Sequence, residues 1–271
     1  MTKLKYTFKN DTLFKMLFVK YPDLLKKLVA VLLRIPLDSI SKFEIRNPEM
    51  PPESLGDKFC RLDINMTVDG QRVDLEIQVN DEGDFSERTL YYWAREFSTA
   101  LSASMKYSDL PRTIIISIVA FEMFDCVEYH SEFMPLEIKR YTPLTDKMAV
   151  HFYELPKVPN TVAPENTLEL WLSLFKAETE EELEKLSALE VPEMTQAVEA
   201  YRHITVTPEF KEAERLRSKA RHDEAQALFN AEQKRAFTIA KNAFRKNMSI
   251  EDVADITGLT YAELETLRIA D

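Results

Sequence analysis

The feature that most constrains the fold is the stretch 61–79, RLDINMTVDGQRVDLEIQV, in which apolar and polar residues alternate on both sides of an Asp-Gly pair. Asp69-Gly70 favours a two-residue type I′ turn, in which both central residues need a positive φ. The turn fixes the register of a predicted hairpin, and its apolar residues then fall on one face. The predicted apolar pairs are Leu62–Ile77, Ile64–Leu75 and Met66–Val73.

The opposite face of this hairpin is polar, and its predicted pairs are Arg61–Gln78, Asp63–Glu76 and Asn65–Asp74. Asp63 and Glu76 face each other with their Cβ atoms about 5 Å apart, where like charges are unfavourable. A hard divalent cation between the two carboxylates removes the repulsion. Magnesium is typically held by one or two carboxylates, with waters and phosphate oxygens completing its shell. The pair therefore predicts a site for Mg²⁺, Mn²⁺ or another divalent cation.

Two other interpretations of the pair stay open at this point. The polar face can be a solvent-facing strand surface, with Asp63 against Arg61 and Glu76 in water. Close carboxylates also occur in retaining glycosidases, although no aromatic-rich sugar platform surrounds this hairpin. The alternating pattern alone does not choose between a metal site and a solvated strand.

The remaining pattern predicts an α/β domain over residues 1–155, a Pro-rich linker over 156–165 and a helical region over 166–271. The segment 113–121, TIIISIVAF, is apolar and β-branched throughout, which is typical of a strand buried on both faces. Prolines 156, 159 and 164 mark the linker. Residues 249–268 have the outline of a helix-turn-helix, with Ser249 and Thr260 as caps and a glycine between them.

Composition narrows the function classes. None of the four glycines belongs to a Gly-rich phosphate loop, which disfavours a nucleotide cofactor. No apolar run is long enough for a membrane span, and the two cysteines fit a cytoplasmic protein better than a disulfide framework. The net charge of −11 argues against a generally basic nucleic-acid binder. However, residues 1–47 hold ten Lys and Arg against four Asp and Glu, and such a local surface can still attract DNA.

Four segments together resemble the Rpn family of recombination-promoting nucleases, also described as putative transposases, in the PD-(D/E)XK nuclease superfamily. The segments are NDTLFKMLF, PEMPPESLGDKFCRLDI, VDLEIQV and RTLYYWAREF. The tail KNMSIEDVADITGLTYAELETL is similar to the tail common in that family. The resemblance implies an αβββαβ core in a mixed sheet and a magnesium-dependent endodeoxyribonuclease that acts in DNA recombination or transposition.

The resemblance also implies roles for particular residues. Asp63 and Glu76 match the metal ligands of the superfamily. The third motif position, usually lysine, is Gln78, and a glutamine hydrogen-bonds a water without taking its proton. The base is then a metal-bound hydroxide or another residue, for which Lys58 is a candidate. Asp11 matches an early family aspartate, and its position equally suits a helix N-cap, as does that of the preceding Asn10.

The helix expected after the hairpin supplies the candidate DNA contacts. Arg88, Tyr91, Tyr92 and Arg95 share one face by their spacing. Arginines there can bind the DNA backbone, whereas aromatic residues at this spacing are more typical of a core. The acidic second helix of the tail favours a protein contact or a docking element on the nuclease domain, and the C-terminal helical region is a candidate surface for a homo-oligomer. The rival hypothesis is a non-catalytic interaction protein that retains the nuclease fold.

Overall fold

A computed structural model describes residues 2–46, 49–50, 60–61, 63–102 and 104–269. Its centre is a six-stranded mixed sheet with the strand order β1-β4-β5-β6-β8-β7. The bounds of these strands are β1 (Phe43–Ile45), β4 (Ile64–Val68), β5 (Gln71–Gln78), β6 (Thr113–Val119), β7 (His130–Phe133) and β8 (Met148–Glu154). A separate two-stranded sheet pairs β2 (Glu49–Met50) with β3 (Cys60–Arg61).

The predicted hairpin is present as β4 and β5, with the register that the turn dictates. Ile64 faces Leu75, Asn65 faces Asp74 and Met66 faces Val73, and the turn residues Asp69 and Gly70 have φ values of 47° and 81°. Asp69 tolerates its positive φ while its carboxylate accepts backbone N–H groups of Ser41 and Lys42. The local chemistry of the turn therefore determines the register.

The first part of the predicted hairpin is wrong. The strand begins at Ile64, and Arg61 pairs with Glu49 in the small sheet instead of with Gln78. Asp63 precedes the strand, and its Oδ2 accepts the backbone N–H of Ile77 at 3.0 Å. The predicted register would pair that N–H with Leu62. Leu62 and the candidate base Lys58 lie outside the described residues.

The topology is that of an α/β protein. β5 continues through helix α3 (Phe85–Ser98) into β6, which lies parallel to it, and β6 is also parallel to β8. The outer pairs β1–β4, β4–β5 and β7–β8 are antiparallel. The predicted α/β class with a mixed sheet and a mostly helical C-terminal part is confirmed.

The two faces of the sheet pack differently. One face, with Leu75, Ile116 and Tyr153, belongs to the main core. The helices that contribute to this core are α1 (Asp11–Lys20), α2 (Pro22–Leu32), α4 (Thr167–Lys176), α5 (Glu180–Ser187) and α6 (Pro192–Val206). On the other face a smaller cluster joins Phe85 of α3 to Ile115 and to Phe152. The hairpin acids lie on this second face.

The chain forms two compact units, Met1–Phe210 and Lys211–Asp271. The division falls near the start of α7 (Pro208–Arg245), because α4 and α6 share the main core with α1. The predicted domain boundary at 156–165 stays a prediction. None of the helices in the described residues has the length and apolar character that a membrane span needs.

The second unit ends in helices α8 (Ile250–Thr257) and α9 (Tyr261–Ile269). Ser249 caps α8, and Gly258 ends it with a φ of 69°. Thr260 exchanges hydrogen bonds with Glu263 at the start of α9. A small apolar cluster holds both helices to the end of α7 through Ala240, Ala243, Val253, Leu259 and Leu264. The tail thus has a helix-turn-helix outline with its own core.

Candidate active site

The polar face of the hairpin is buried. Asn65 and Asp74 are 1% exposed and Glu76 is 6% exposed. Arg88 and Glu96 of α3 lie close enough to influence the pKa values of Glu76 and Asp74, respectively. The interpretation of this face as a solvated strand surface is therefore wrong, because three of its polar residues are removed from water.

Lys15 joins the first helix to the hairpin. Its Nζ lies 3.1 Å from Oδ1 of Asp63 and 3.1 Å from Oδ1 of Asp11, one turn earlier on α1. Asn10 is the N-cap of α1, with its Oδ1 accepting the N–H of Leu13 at 2.9 Å, so Asp11 is not the cap. The structure thus brings Asp11 to the neighbourhood of Asp63 through a lysine. The i,i+4 spacing of Asp11 and Lys15 was the available sequence signal.

Glu76 is a buried acid without a partner among the residues that the structure describes. It makes no hydrogen bond or ion pair with any described residue, and burial, followed by the charge of Asp63, raises its pKa to about 8. Arg88 and Lys15 act in the opposite direction and do not compensate. A carboxyl with such a pKa retains its proton near neutral pH, so a metal ion that binds there must displace that proton.

Asp74, which pairs with Asn65 as predicted, is a second buried acid on this face and is not among the predicted site residues. Neither of its carboxylate oxygens has a hydrogen-bond partner among the described residues. Burial, and then the charges of Glu76 and Asp63, raise its pKa well above the usual range. An unpaired buried carboxylate is costly, so this end of the sheet favours an added cation.

The donor set fits a divalent cation held by few protein ligands. In the part of the chain that the structure describes, no group of three or more His, Cys, Asp or Glu side chains is arranged to hold a metal ion. Asp63 and Glu76 supply two carboxylates, and magnesium commonly takes one or two, with waters and phosphate oxygens in its other positions. The oxygens of Asp74, which have no hydrogen-bond partner in the described part of the chain, independently indicate that the described cations do not compensate the acids of this site.

Gln78, the third predicted site residue, lies two positions after Glu76 on β5 and is partly exposed. Its Nε2 donates a hydrogen bond to the carbonyl oxygen of Asn80 at 2.8 Å. This bond sets the orientation of the amide. Its Oε1 makes no hydrogen bond within the described residues, so it is able to accept one from a water.

The predicted DNA contacts lie on α3. Arg88 pairs with Glu82 at 2.7 Å and lies over the ring of Phe85, 4.9 Å from its centroid. Tyr91 is 37% exposed, and Arg95 is partly buried on the same helix. Arg88 therefore has a local ion-pair partner, Glu82, and its charge also acts to lower the pKa of Glu76. The DNA-binding role of Arg88 and Arg95 stays a prediction.

Comparison with known families gives one assignment. The model of the family described as PD-(D/E)XK nuclease family transposase matches residues 8–231, which include both sheets, α3 and the predicted site. No curated protein and no solved structure matches the chain. Nucleases of this superfamily act on nucleic acid and generally use divalent metal ions. The chain belongs to the PD-(D/E)XK nuclease family transposases.

Proposed function

We propose that this protein is a metal-dependent DNA endonuclease that hydrolyses phosphodiester bonds in recombination or transposition. Membership of the PD-(D/E)XK nuclease family transposases supports the assignment of the protein as a nuclease. The observation that carries the finer assignment is the buried carboxylate of Glu76, which has no hydrogen-bond or ion-pair partner among the described residues and whose pKa is raised by burial and by Asp63. Asp74, also buried, has no hydrogen-bond partner in the described part of the chain either. Such a site is unfavourable by itself and becomes favourable with a bound divalent cation.

Asp63 and Glu76 would hold the cation, Mg²⁺ or Mn²⁺. The bound cation would activate a water and stabilise negative charge that develops on the phosphoryl oxygens. Lys15 holds the Asp63 carboxylate from one side, and the N–H of Ile77 holds it from the other. These two contacts hold the Asp63 side chain in one conformation before the cation binds. Binding therefore costs less side-chain conformational entropy.

Gln78 would orient the attacking water by accepting a hydrogen bond at Oε1. Because an amide takes no proton, a different group acts as base, and Lys58 remains the proposed candidate. Asp11 would act in support through Lys15, which lies within 3.1 Å of both aspartates. Arg88 and Arg95 would contact the phosphate backbone of DNA along α3.

Cleavage of supercoiled plasmid tests this function. Wild type should nick or linearise the plasmid with Mg²⁺ or Mn²⁺ and not with EDTA. Asp63→Asn and Glu76→Gln should each lower the rate by about a thousandfold or more, because each removes a charged ligand. Glu87→Gln, an exposed acid in the first turn of α3, is the matched control and should cleave at the wild-type rate. Cleavage by Glu76→Gln at the wild-type rate would refute the assignment.

The alternative is a non-catalytic interaction protein with a retained nuclease fold. The substitution of glutamine for the superfamily's usual lysine is the observation in its favour. Under this alternative, plasmid remains intact with every divalent cation while the protein stays folded. If the protein binds a divalent cation through these carboxylates but does not cleave DNA, the fold has kept its metal site and lost its nuclease activity.

We also propose that the C-terminal helical region forms a homo-oligomer through α7. This helix leaves Leu228 and Phe229 more than half exposed, although such residues are normally covered when they recur along one element. Light scattering after size-exclusion chromatography should give a mass above one chain for wild type and a smaller mass for Phe229→Glu. A wild-type monomer at micromolar concentration would contradict this proposal.

A further inference from the structure

A small cavity lies on the face of the sheet opposite Glu76. It has a volume of about 110 Å³ and lies between the end of α2 and strands β5–β8. Its polar lining residues are Arg34, Gln71, Arg112, His130, Glu132 and His151. Side chains alternate along strands, so His151 of β8 points to the same side as Tyr153 in the main core and away from Glu76. This cavity is therefore separate from the proposed nuclease site.

A chain of hydrogen bonds sets the proton positions on both histidines. Nη2 of Arg34 lies 2.9 Å from Nδ1 of His130, and Nε2 of His130 lies 3.1 Å from Nδ1 of His151. A guanidinium only donates, so Nδ1 of His130 accepts and its Nε2 carries the hydrogen. Nδ1 of His151 then accepts as well. The remaining nitrogen, Nε2 of His151, must therefore be a donor.

That last donor has no acceptor. Nε2 of His151 is buried, and within the described residues it has no hydrogen-bond partner. Oε1 of Glu132 lies 3.9 Å away, which is too far for a hydrogen bond. Nε of Arg112, on the same cavity wall, is also buried without a partner in the described part of the chain. Two buried N–H groups without described partners, on residues that line one cavity, are unfavourable unless an acceptor reaches them.

The charge and size of the cavity restrict that acceptor. Arg34 and Arg112 outnumber the single acid, Glu132, whose side chain is 46% exposed and therefore hydrated. Pockets for nucleotides and drug-sized ligands usually have volumes of about 300–1,000 Å³, so a cavity of about 110 Å³ has room only for a small group. We propose that this cavity binds a phosphate group, whose oxygens accept the hydrogens of His151 Nε2 and Arg112 Nε.

Binding of inorganic phosphate tests the proposal. Full-length protein in EDTA, at low ionic strength, is titrated with sodium phosphate by calorimetry, with sodium chloride as the reference anion. Wild type should bind one phosphate saturably, and Arg112→Gln should weaken binding by about tenfold or more because it removes a charge-assisted hydrogen bond. Arg202→Gln removes an exposed arginine on α6, outside the cavity, and should bind as wild type does.

A measurement on wild type covers the case in which Arg112→Gln fails to fold. Long-range ¹H–¹⁵N spectra of the histidine rings should show the Nε2 signal of His151 move with phosphate and not with chloride. The absence of saturable heat together with an unmoved His151 signal would overturn the proposal. Equal weakening by Arg112→Gln and Arg202→Gln would also overturn it, because binding would then follow net charge.

The source of the phosphate group is resolved by competition. A short oligonucleotide with a 5′-phosphate and its 5′-hydroxyl counterpart are each added to the phosphate complex. Displacement by the phosphorylated form alone would identify the end of a nucleic-acid strand as the ligand. Displacement by neither form, with phosphate bound, would identify a free anion. Both results keep the cavity as a phosphate site, and neither depends on DNA cleavage.

Discussion

Two buried acids on the same face of the sheet have opposite surroundings. Glu154, at the end of β8, is 0% exposed, and its Oε1 accepts the backbone N–H groups of Met123 at 2.6 Å and Phe124 at 3.3 Å. Lys157 donates to its Oε2 at 2.9 Å. Glu76 is almost as buried, and no described residue donates to it. The two acids lie on strands that are both neighbours of β6.

The difference separates an acid that stabilises the fold from an acid that needs a ligand. Burying a charge is costly unless hydrogen bonds and an opposite charge compensate it. Glu154 has both and holds the loop after β6 against β8. Glu76 and Asp74 have neither to a sufficient degree, so the protein retains them at a cost in stability. A cation that binds there supplies the missing compensation.

Removing Glu154 should have the largest effect on stability. Glu154→Ala leaves the N–H groups of Met123 and Phe124 without their acceptor, so we expect the free energy of unfolding to fall by about 4 kcal/mol. Urea denaturation measures the change. Glu122→Ala, an exposed acid in the same loop, is the matched control and should stay within about 0.5 kcal/mol of wild type. A loss below about 1 kcal/mol for Glu154→Ala would contradict the proposed difference.

Glu76→Gln should instead stabilise the metal-free protein at alkaline pH. The folded-state pKa of Glu76, about 8, lies above its ordinary value of 4.5. Its folded form therefore binds more protons than its unfolded form between these values, and wild-type stability falls as pH rises from about 4.5 to about 8. The stability of Glu76→Gln should not fall in this way, which gives a relative gain on the order of 4 kcal/mol at pH 8.

Denaturation of wild type and Glu76→Gln in EDTA at pH 5, 6.5 and 8 measures this gain. Glu154→Gln is the comparison variant, because it neutralises an acid whose charge is already compensated, and it should be less stable than wild type at pH 8. If Glu76→Gln and Glu154→Gln respond to pH alike, the two acids do not differ as we describe.

A lysine added near Glu76 should have the smallest effect. Gln78→Lys gives the site the kind of partner that Lys157 provides for Glu154. We expect the metal-free protein to gain up to about 1 kcal/mol at pH 8, since the pair is partly exposed. The cleavage rate should fall less than about tenfold, and its pH profile should shift because the pKa of Glu76 is lowered. Val79→Lys, at the exposed next position, is the control. An unchanged rate, pH profile and stability would show that Gln78 has no chemical role.

The part of the site that local chemistry determines could be predicted from the sequence. Asp69-Gly70 gives the turn, the turn gives the register, and the register places the even-numbered acids of β5 on one face. Burial of that face could not be predicted, because the face is covered by α3, which follows in the chain and whose packing angle no local pattern specifies. For this reason the sequence predicts Asp74 only as the polar partner of Asn65 and not as a buried acid.

Lys15 shows a second limit of the sequence. Its spacing from Asp11 predicts a pair within the helix, but its contact with Asp63 joins positions far apart in the chain. The departure of Asp63 from the strand has the same origin. The carboxylate of Asp63 accepts the N–H of Ile77, and an alternating pattern gives no indication of a hydrogen bond from a strand to a side chain.

We propose that Glu76 has no partner among the described residues because a divalent cation belongs beside it. Calorimetric titration with Mn²⁺ at pH 7, in two buffers of different ionisation enthalpy, tests it most directly because it counts released protons. We predict that wild type binds the cation with release of about one proton, since a carboxyl with a pKa of about 8 must ionise to become a ligand. Glu76→Gln should lose both the binding and the proton release, and Glu122→Gln should retain them. Equal binding by wild type and Glu76→Gln, or binding by wild type without proton release, would contradict the account.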